Sequence, residues 1–340
     1  MPRRWRNLLK VRESETVGRP TAEQIERLFV GSAPRHTRGD VARLAGVSPQ
    51  LSQRIWRALG FATPADDTRA FTDADVRALR RVAGLLDGEL IDEETVVRMA
   101  RALGQTTARL AQWQSEIIIG AMLDRDEPPG DEEMAGVMET TRRLLPDFEA
   151  LLVHVWRAQL AAAGTRLLAM ADLNAETVPG RLTLAVGFAD LVSFTQVSRE
   201  LDEQGLAELV ETFESKASDV IAGHGARLVK TLGDEVLFTA PTAEQAARIA
   251  LDLVDVLREE GREVRVGLSY GPVLPTMGDV FGTTVNLAAR LTAIARPCTV
   301  LVDPGVAEAV EGSPGLVIQR IRRRPARGLG LIQPHLLRRS

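Results

Sequence analysis

Two hydrophobic periods divide this chain. Up to about residue 170, apolar positions recur at intervals of three and four, the spacing of amphipathic helices. In TAEQIERLF, 21–29, Ile25, Leu28 and Phe29 share a face behind a capping Thr21. GDVARLAGVSPQLSQRIWRALGF predicts short helices over 40–45 and 48–58 around a Gly46-Val47 corner, with Ser48 capping the second. TDADVRALRRVAGLL predicts a helix over 72–86, with Thr72 as cap and Asp73 and Asp75 at its positive end. Helices over 92–103, 106–122, 132–144 and 147–169 complete an all-helical domain, 1–170. The apolar stripes of 106–122 and 147–169 read as bundle core, or as the wall of a lipid-chain site. Pro179-Gly180 breaks the pattern inside a linker, 171–182.

Beyond the linker the runs become strand-like. A strand over 183–189 leads to a helix near 202–222, with Leu206, Leu209, Val210 and Phe213 as its stripe. A hairpin follows, 226–232 and 235–240, turning at Gly233-Asp234. Helix 242–259, strand 263–269, helix 283–295 and strand 298–302 come next. This order is β-α-β-β-α-β, so residues 183–340 are expected to form an α+β, ferredoxin-like domain, extended beyond the basic unit.

Composition narrows the chemistry. At 340 residues the chain is long enough for two cores, and a net charge of −4 excludes a general electrostatic trap for nucleic acid, though not a local basic face. A single cysteine, Cys298, excludes an intramolecular disulfide and a cysteine zinc cluster while leaving oxygen-bound metals open. No apolar run approaches the roughly 20 residues of a membrane span, and the basic MPRRWRNLLKVRESE lacks the apolar core of a secretory signal. A cytoplasmic protein is expected.

Asp190, in LTLAVGFADLVSFTQ, and Asp234, in ARLVKTLGDEVLFTA, both end apolar strands. Singly each is a boundary residue. As a pair on one sheet they repel when bare and suit Mg²⁺ or Mn²⁺, two ions serving phosphoryl transfer. Counting by twos puts Leu228, Lys230 and Asp234 on one face. Lys230 is either a snorkelling structural residue or a donor to a base nitrogen, and Asp279 can accept from an exocyclic amine; together they suit adenine better than guanine. Asn286 and Arg290 lie four apart on one helix face. The apolar neighbours of Arg290 predict burial, either in a local salt bridge or beside a transferring phosphoryl group. Arg265 is a second candidate phosphate ligand. Neither a Walker loop nor a kinase signature set is present.

FADLVSFT, KTLGDEVLF, RVGLSYG and GDVFGTTVNLAARL together resemble a class III nucleotidyl cyclase catalytic domain. The resemblance implies that Asp190 and Asp234 bind two Mg²⁺ or Mn²⁺ ions and that Lys230 and Asp279 select adenine. It also implies that Asn286 orients the ribose, Arg290 stabilises the transition state and Arg265 touches the terminal phosphates. The family often has a phosphate-binding lysine before a glycine near the C-terminus, where this chain has Arg327-Gly328. The implied reaction converts ATP to 3′,5′-cyclic AMP and pyrophosphate in a head-to-tail homodimer.

The front half resembles two things. Residues 40–86 resemble the helix-turn-helix opening of MerR-type regulators, with Arg54, Arg57 and Arg69 as candidate DNA contacts. As a whole it resembles the helical regulatory domain of actinobacterial soluble cyclases, which implies autoinhibition or tuning by a proton or a fatty acid. Regulation is the favoured reading over DNA binding, and His154 is the candidate pH switch. The competing functions are a DNA-binding regulator with a nucleotide-sensing cyclase-like half, and a guanylyl cyclase.

Overall fold

The computed structural model describes residues 19–122, 129–173, 182–276 and 278–340. The basic N-terminal segment and residues 174–181 of the expected linker lie outside them. The chain divides into two compact units, 1–160 and 161–340.

The first unit is helical: α1 (Ala22–Val30), α2 (Arg38–Ala45), α3 (Pro49–Ala58), α4 (Asp73–Asp87), α5 (Glu93–Met122) and α6 (Asp131–Leu173), the division falling inside α6. Thr21, Thr37 and Thr72 each close a reciprocal capping box, and Ser48 caps α3 through the Leu51 amide. Gly46, at φ 78°, ends α2 and makes the corner to α3. Val41, Leu51, Ile55, Phe71, Val76, Leu79, Val96 and Val97 form the core.

Two predicted breaks are absent. Helices 92–103 and 106–122 are one helix, because Gly104 is a contact point: a Cβ there would lie 2.3 Å from the Leu59 carbonyl oxygen. Likewise 132–144 and 147–169 merge through Pro146, at the expense of one backbone hydrogen bond. Nor do the stripes of these long helices form a bundle core. Leu103, Trp113, Ile117, Leu151, Leu152, Trp156 and Leu160 are exposed, and so is His154.

The second unit contains β1 (Leu182–Leu191), α7 (Phe194–Glu200), α8 (Glu203–Gly223), β2 (Arg227–Thr231), β3 (Glu235–Ala240), α9 (Ala243–Glu259), β4 (Val264–Thr276) and β5 (Asp279–Phe281). It continues with α10 (Thr283–Ile294), β6 (Val300–Val302), α11 (Pro304–Ala309), β7 (Leu316–Arg320), β8 (Arg324–Ala326), β9 (Gly330–Ile332) and β10 (His335–Arg339). The sheet order is β2-β3-β1-β4-β6-β10-β7, with β5 paired to β4, and β8-β9 form a separate hairpin. Its first four strands have the ferredoxin-like order, antiparallel throughout. Strands β6, β10 and β7 extend one edge.

Alternation gives the sheet two apolar faces. Ala185 and Ala189 of β1 with Val236 and Phe238 of β3 pack beneath Phe213 of α8 and Ile249 of α9. Leu184, Val186, Phe188 and Leu237 pack on the opposite face with Ala288 of α10. There α10 comes into backbone contact with the sheet, since a Cβ on Gly267 would lie 2.3 Å from the Thr292 amide nitrogen.

Candidate active site

Strand register lays the site out as a line across the sheet. Asp190 of β1 is paired with Glu235 of β3 on one side and Arg265 of β4 on the other. Period-two alternation puts all three on the face that α10 covers. Arg265 Nε donates to Asp190 Oδ2 at 2.6 Å, and its Nη1 donates to the Ala293 carbonyl at 3.3 Å. One guanidinium thus ties the acidic line to the last turn of α10. Asp234 occupies the two-residue turn between β2 and β3, where Gly233 adopts φ 70°. The Leu191 amide donates to the Asp234 carbonyl at 2.9 Å, which docks the turn against the end of β1, one residue beyond Asp190.

Crowding sets the electrostatics. Burial raises Asp190 above the usual carboxylate range; Arg265 opposes this and Asp234 adds to it. Glu235 is pushed up to about 7, by burial first and then by the charges of Asp190 and Asp234. Glu235 was missed in the sequence, although it adjoins Asp234 and has the same parity as the inward Leu237. This is the environment a divalent cation relieves, and Asp190 and Asp234 fit one. Among the described residues no three His, Cys, Asp or Glu side chains gather in metal-binding geometry. Two carboxylates would leave the remaining positions of such an ion to water and phosphate oxygens, ligands that Mg²⁺ accepts.

Lys230 and Asp279 meet directly, Nζ to Oδ2 at 2.5 Å. Burial alone would raise Asp279, but the Lys230 hydrogen bond, the Val280 amide and the Lys230 charge together hold it below its ordinary value. Arg227 donates to the Gly278 carbonyl at 2.5 Å and holds the β4-β5 hairpin against β2. The face expected for Lys230 needs correction. A bulge between Leu228 and Lys230 resets the alternation, so Leu228 pairs with Phe238 and Lys230 with Leu237, on opposite faces. The extra residue turns Lys230 to the face of Asp190.

Asn286 and Arg290 share one stripe of α10, as their spacing predicts, but the stripe is exposed. Arg290 is not buried, because its apolar neighbours in sequence are not its neighbours on the helix. Thr284, Ala288, Leu291 and Thr292 take the sheet side. Arg290 has no hydrogen-bond or ion-pair partner among the described residues. Arg327 is exposed in the turn between β8 and β9, where Gly328 adopts φ 83°. In the first unit, Arg54 is engaged by Glu93 and Glu94 of α5, at 3.4 and 3.0 Å.

Residues 180–337 match the adenylate and guanylate cyclase catalytic domain family. Its members bind nucleotide, use divalent metal ions and work as dimers. Three relatives extend the similarity through the helical half. An adenylate cyclase of Streptomyces coelicolor strain A3(2) is 44% identical, over 94% of this chain and 90% of its own length. One of Streptomyces griseus is 42% identical over 94% and 89%, and one of Glutamicibacter nicotianae 36% over 94% and 82%. With the acidic line, the Lys230–Asp279 pair and the α10 stripe all present, the chain belongs to the class III adenylate and guanylate cyclase family, and it resembles actinobacterial adenylate cyclases over most of its length.

Proposed function

We propose that this protein is an adenylyl cyclase, converting ATP to 3′,5′-cyclic AMP and pyrophosphate. The observation that carries the reading is the Lys230–Asp279 pair at 2.5 Å, an ammonium held against a carboxylate, with Lys230 on the same sheet face as Asp190. Adenine offers an acceptor at N1 and a donor at its 6-amino group; guanine offers the reverse at the corresponding edge. An ammonium beside a carboxylate matches the first order. The 3′ oxygen of the ribose bonds to the α-phosphorus, its proton departs, and the bond to the β-phosphate oxygen breaks to release pyrophosphate. Asn286 orients the ribose, and Arg290 stabilises the charge growing on the transferring phosphoryl group. Arg265 and Arg327 offer positive charge to the terminal phosphates. Asp190 and Asp234 would hold two Mg²⁺ or Mn²⁺ ions, which when bound would lower the pKa of the 3′ hydroxyl and neutralise charge on the leaving group.

Two protomers pair head to tail, each lending its α10 stripe and its Lys230–Asp279 pair to the acidic line of the other. The helical domain, 1–170, tunes this dimer and is joined to the catalytic domain, 183–340, through the expected linker, 171–182, of which α6 takes 171–173 and β1 takes 182. A proton or a fatty acid is the effector class, and the engagement of Arg54 within the first unit speaks against DNA.

The test is cyclic nucleotide formation from ATP and from GTP, side by side, with Mn²⁺. Turnover of ATP that is abolished in Asp190→Ala and lost on chelation is expected. Preference for GTP would refute the base assignment. Nucleotide binding without turnover, with sequence-selective DNA retention, would refute the enzyme. Equal activity of full-length protein and a 171–340 fragment, from pH 5.5 to 8 and with fatty acids, would remove the regulatory role.

A further inference from the structure

The last twenty-nine residues, 312–340, carry arginines at 320, 322, 323, 324, 327, 338 and 339 and no acidic residue, in a chain of net charge −4. Some are occupied. Arg339 is held by Asp255 at 3.0 Å and by Asp252, and Arg320 donates to Gln333 at 3.1 Å. Arg322, Arg323 and Arg324 are not: all three are exposed, with no hydrogen-bond or ion-pair partner among the described residues. Arg322 and Arg323 lie between β7 and β8, and Arg324 opens β8.

The fold decides what this triplet adjoins. Ile321 and Ile332, at the two ends of the hairpin segment, pack against the cluster of Leu291, Ala295 and Leu301, and so do Leu287 and Ile294 of α10. At about 100° per residue, positions 287 and 294 lie roughly 40–60° from position 290 around the helix. The hairpin therefore lies beside α10 near the stripe that carries Arg290, and the triplet and Arg327 lie in the same short segment, 322–327. Consecutive like charges repel, and an exposed cluster of one sign concentrates oppositely charged ligands in front of it. A ligand with several negative charges, small enough to sit beside one helix face, removes that repulsion.

We propose that Arg322, Arg323 and Arg324 form a rim that gathers the polyphosphate chain of the nucleotide and delivers it to Arg290 and Arg327. The inference rests on the cyclase reading for the identity of the nucleotide, but not for the anion. Guanidinium groups suit phosphate oxygens because their planar donors bind two at once. Acting through charge from outside the catalytic set, the triplet governs capture at low nucleotide concentration, and salt screens it.

The test uses full-length protein with R322Q/R323Q/R324Q, and R322K/R323K/R324K as the charge-keeping control. At low salt the glutamine variant should lose about tenfold in kcat/KM for ATP, and the loss should shrink as salt rises from about 25 to about 250 mM. Calorimetric binding of inorganic tripolyphosphate, which needs no turnover, should weaken in parallel, and the lysine variant should track wild type. Glutamine and wild-type proteins that agree in both measurements would overturn the rim. So would a lysine variant as impaired as the glutamine one, or an unchanged kcat/KM with lost retention on DNA or anionic vesicles. If wild type cyclises no nucleotide yet binds tripolyphosphate through the triplet, the cyclase reading fails and the rim stands.

Discussion

Replacing Gly267 with alanine tests whether backbone contact between sheet and helix positions the α10 stripe. The added methyl would lie 2.3 Å from the Thr292 amide nitrogen, 2.5 Å from the Ala288 carbonyl oxygen and 2.5 Å from Thr292 Oγ1. Two of these atoms are backbone, so rotating a side chain cannot clear them. Ordinary contact begins near 3.4 Å, which requires α10 to retreat by about 1 Å. Two hydrogen bonds register the damage: Thr292 Oγ1 to the Phe188 carbonyl at 3.3 Å, and Arg265 Nη1 to the Ala293 carbonyl at 3.3 Å. Overpacking of this kind costs about 1–3 kcal/mol, against which the entropic gain of Gly→Ala returns under ~1 kcal/mol. For a unit of this size the expected fall in Tm is roughly 3–10 °C. A shift of ~1 Å in groups that position a substrate lowers kcat up to about 100-fold. Thermal melts and initial rates of cyclic AMP formation, with saturating ATP and Mn²⁺, measure both. A variant with the Tm and kcat of wild type would refute the claim that this contact sets the helix.

Two further substitutions probe the helical unit. Gly84→Ala in α4 meets nothing within 4 Å and should stabilise by up to about 1 kcal/mol, whereas Gly104→Ala in α5 meets Leu59 backbone at 2.3 Å and should destabilise by about 1–3 kcal/mol. Chemical denaturation of the two variants checks the opposite signs. Asp40, whose pKa is lowered from 3.8 to about 2 by hydrogen bonds from Arg43 and then Thr37, gives a pH-dependent case. A depressed carboxylate stabilises the fold fully above its unfolded value and loses that contribution as pH falls through the folded one. The Tm gap between wild type and Asp40→Asn should therefore be constant above about pH 5 and narrow from pH 3.8 towards pH 2. A gap that widens on acidification would refute the assignment.

Particular residues explain what the sequence disclosed and what it concealed. Capping threonines and the Gly233-Asp234 reversal are local chemistry, and they predict helix starts and the hairpin to within a residue or two. Gly104 and Pro146 are also local signals, but each has two meanings. The tertiary neighbour of Gly104 is Leu59, forty-five positions away, and no periodicity announces it. The bulge beside Lys230 shifts parity by one residue, and counting by twos cannot detect an insertion in one strand. Arg290 failed for a simpler reason: linear neighbours stood in for helical ones. Glu235 was legible, since it directly faces Asp190 once the hairpin and the first strand are paired. Strands β7 to β10 were not foreseen beyond β6: β8 and β9 span three residues each, too few to show a period, and LVIQR of β7 and HLLRR of β10 do not alternate strictly between apolar and polar.

The geometry of α10 also bears on how many chains make one site. Arg265 ties Asp190 to Ala293 near the C-terminal end of the helix, while Asn286 lies seven residues earlier, about 10 Å along the axis at ~1.5 Å per residue. Its stripe faces away from the sheet side of α10, whereas Asp190, Glu235 and Arg265 lie on the sheet. On the proposed head-to-tail pairing, a nucleotide held on the acidic line of one protomer would be served by the stripe of another. Mixing two inactive proteins tests this: Asp190→Ala lacks the acidic half, Arg290→Ala the arginine half, and each alone should give no turnover. In an equal mixture with free exchange, about half of the dimers are mixed, and each has one intact site out of two. Activity should therefore return to about a quarter of wild type, and dilution below the dimer dissociation constant should abolish it. If every residue of a site came from one protomer, both homodimers and the mixed dimer would contain only defective sites. A mixture that stays dead while its subunits demonstrably exchange would refute the shared site.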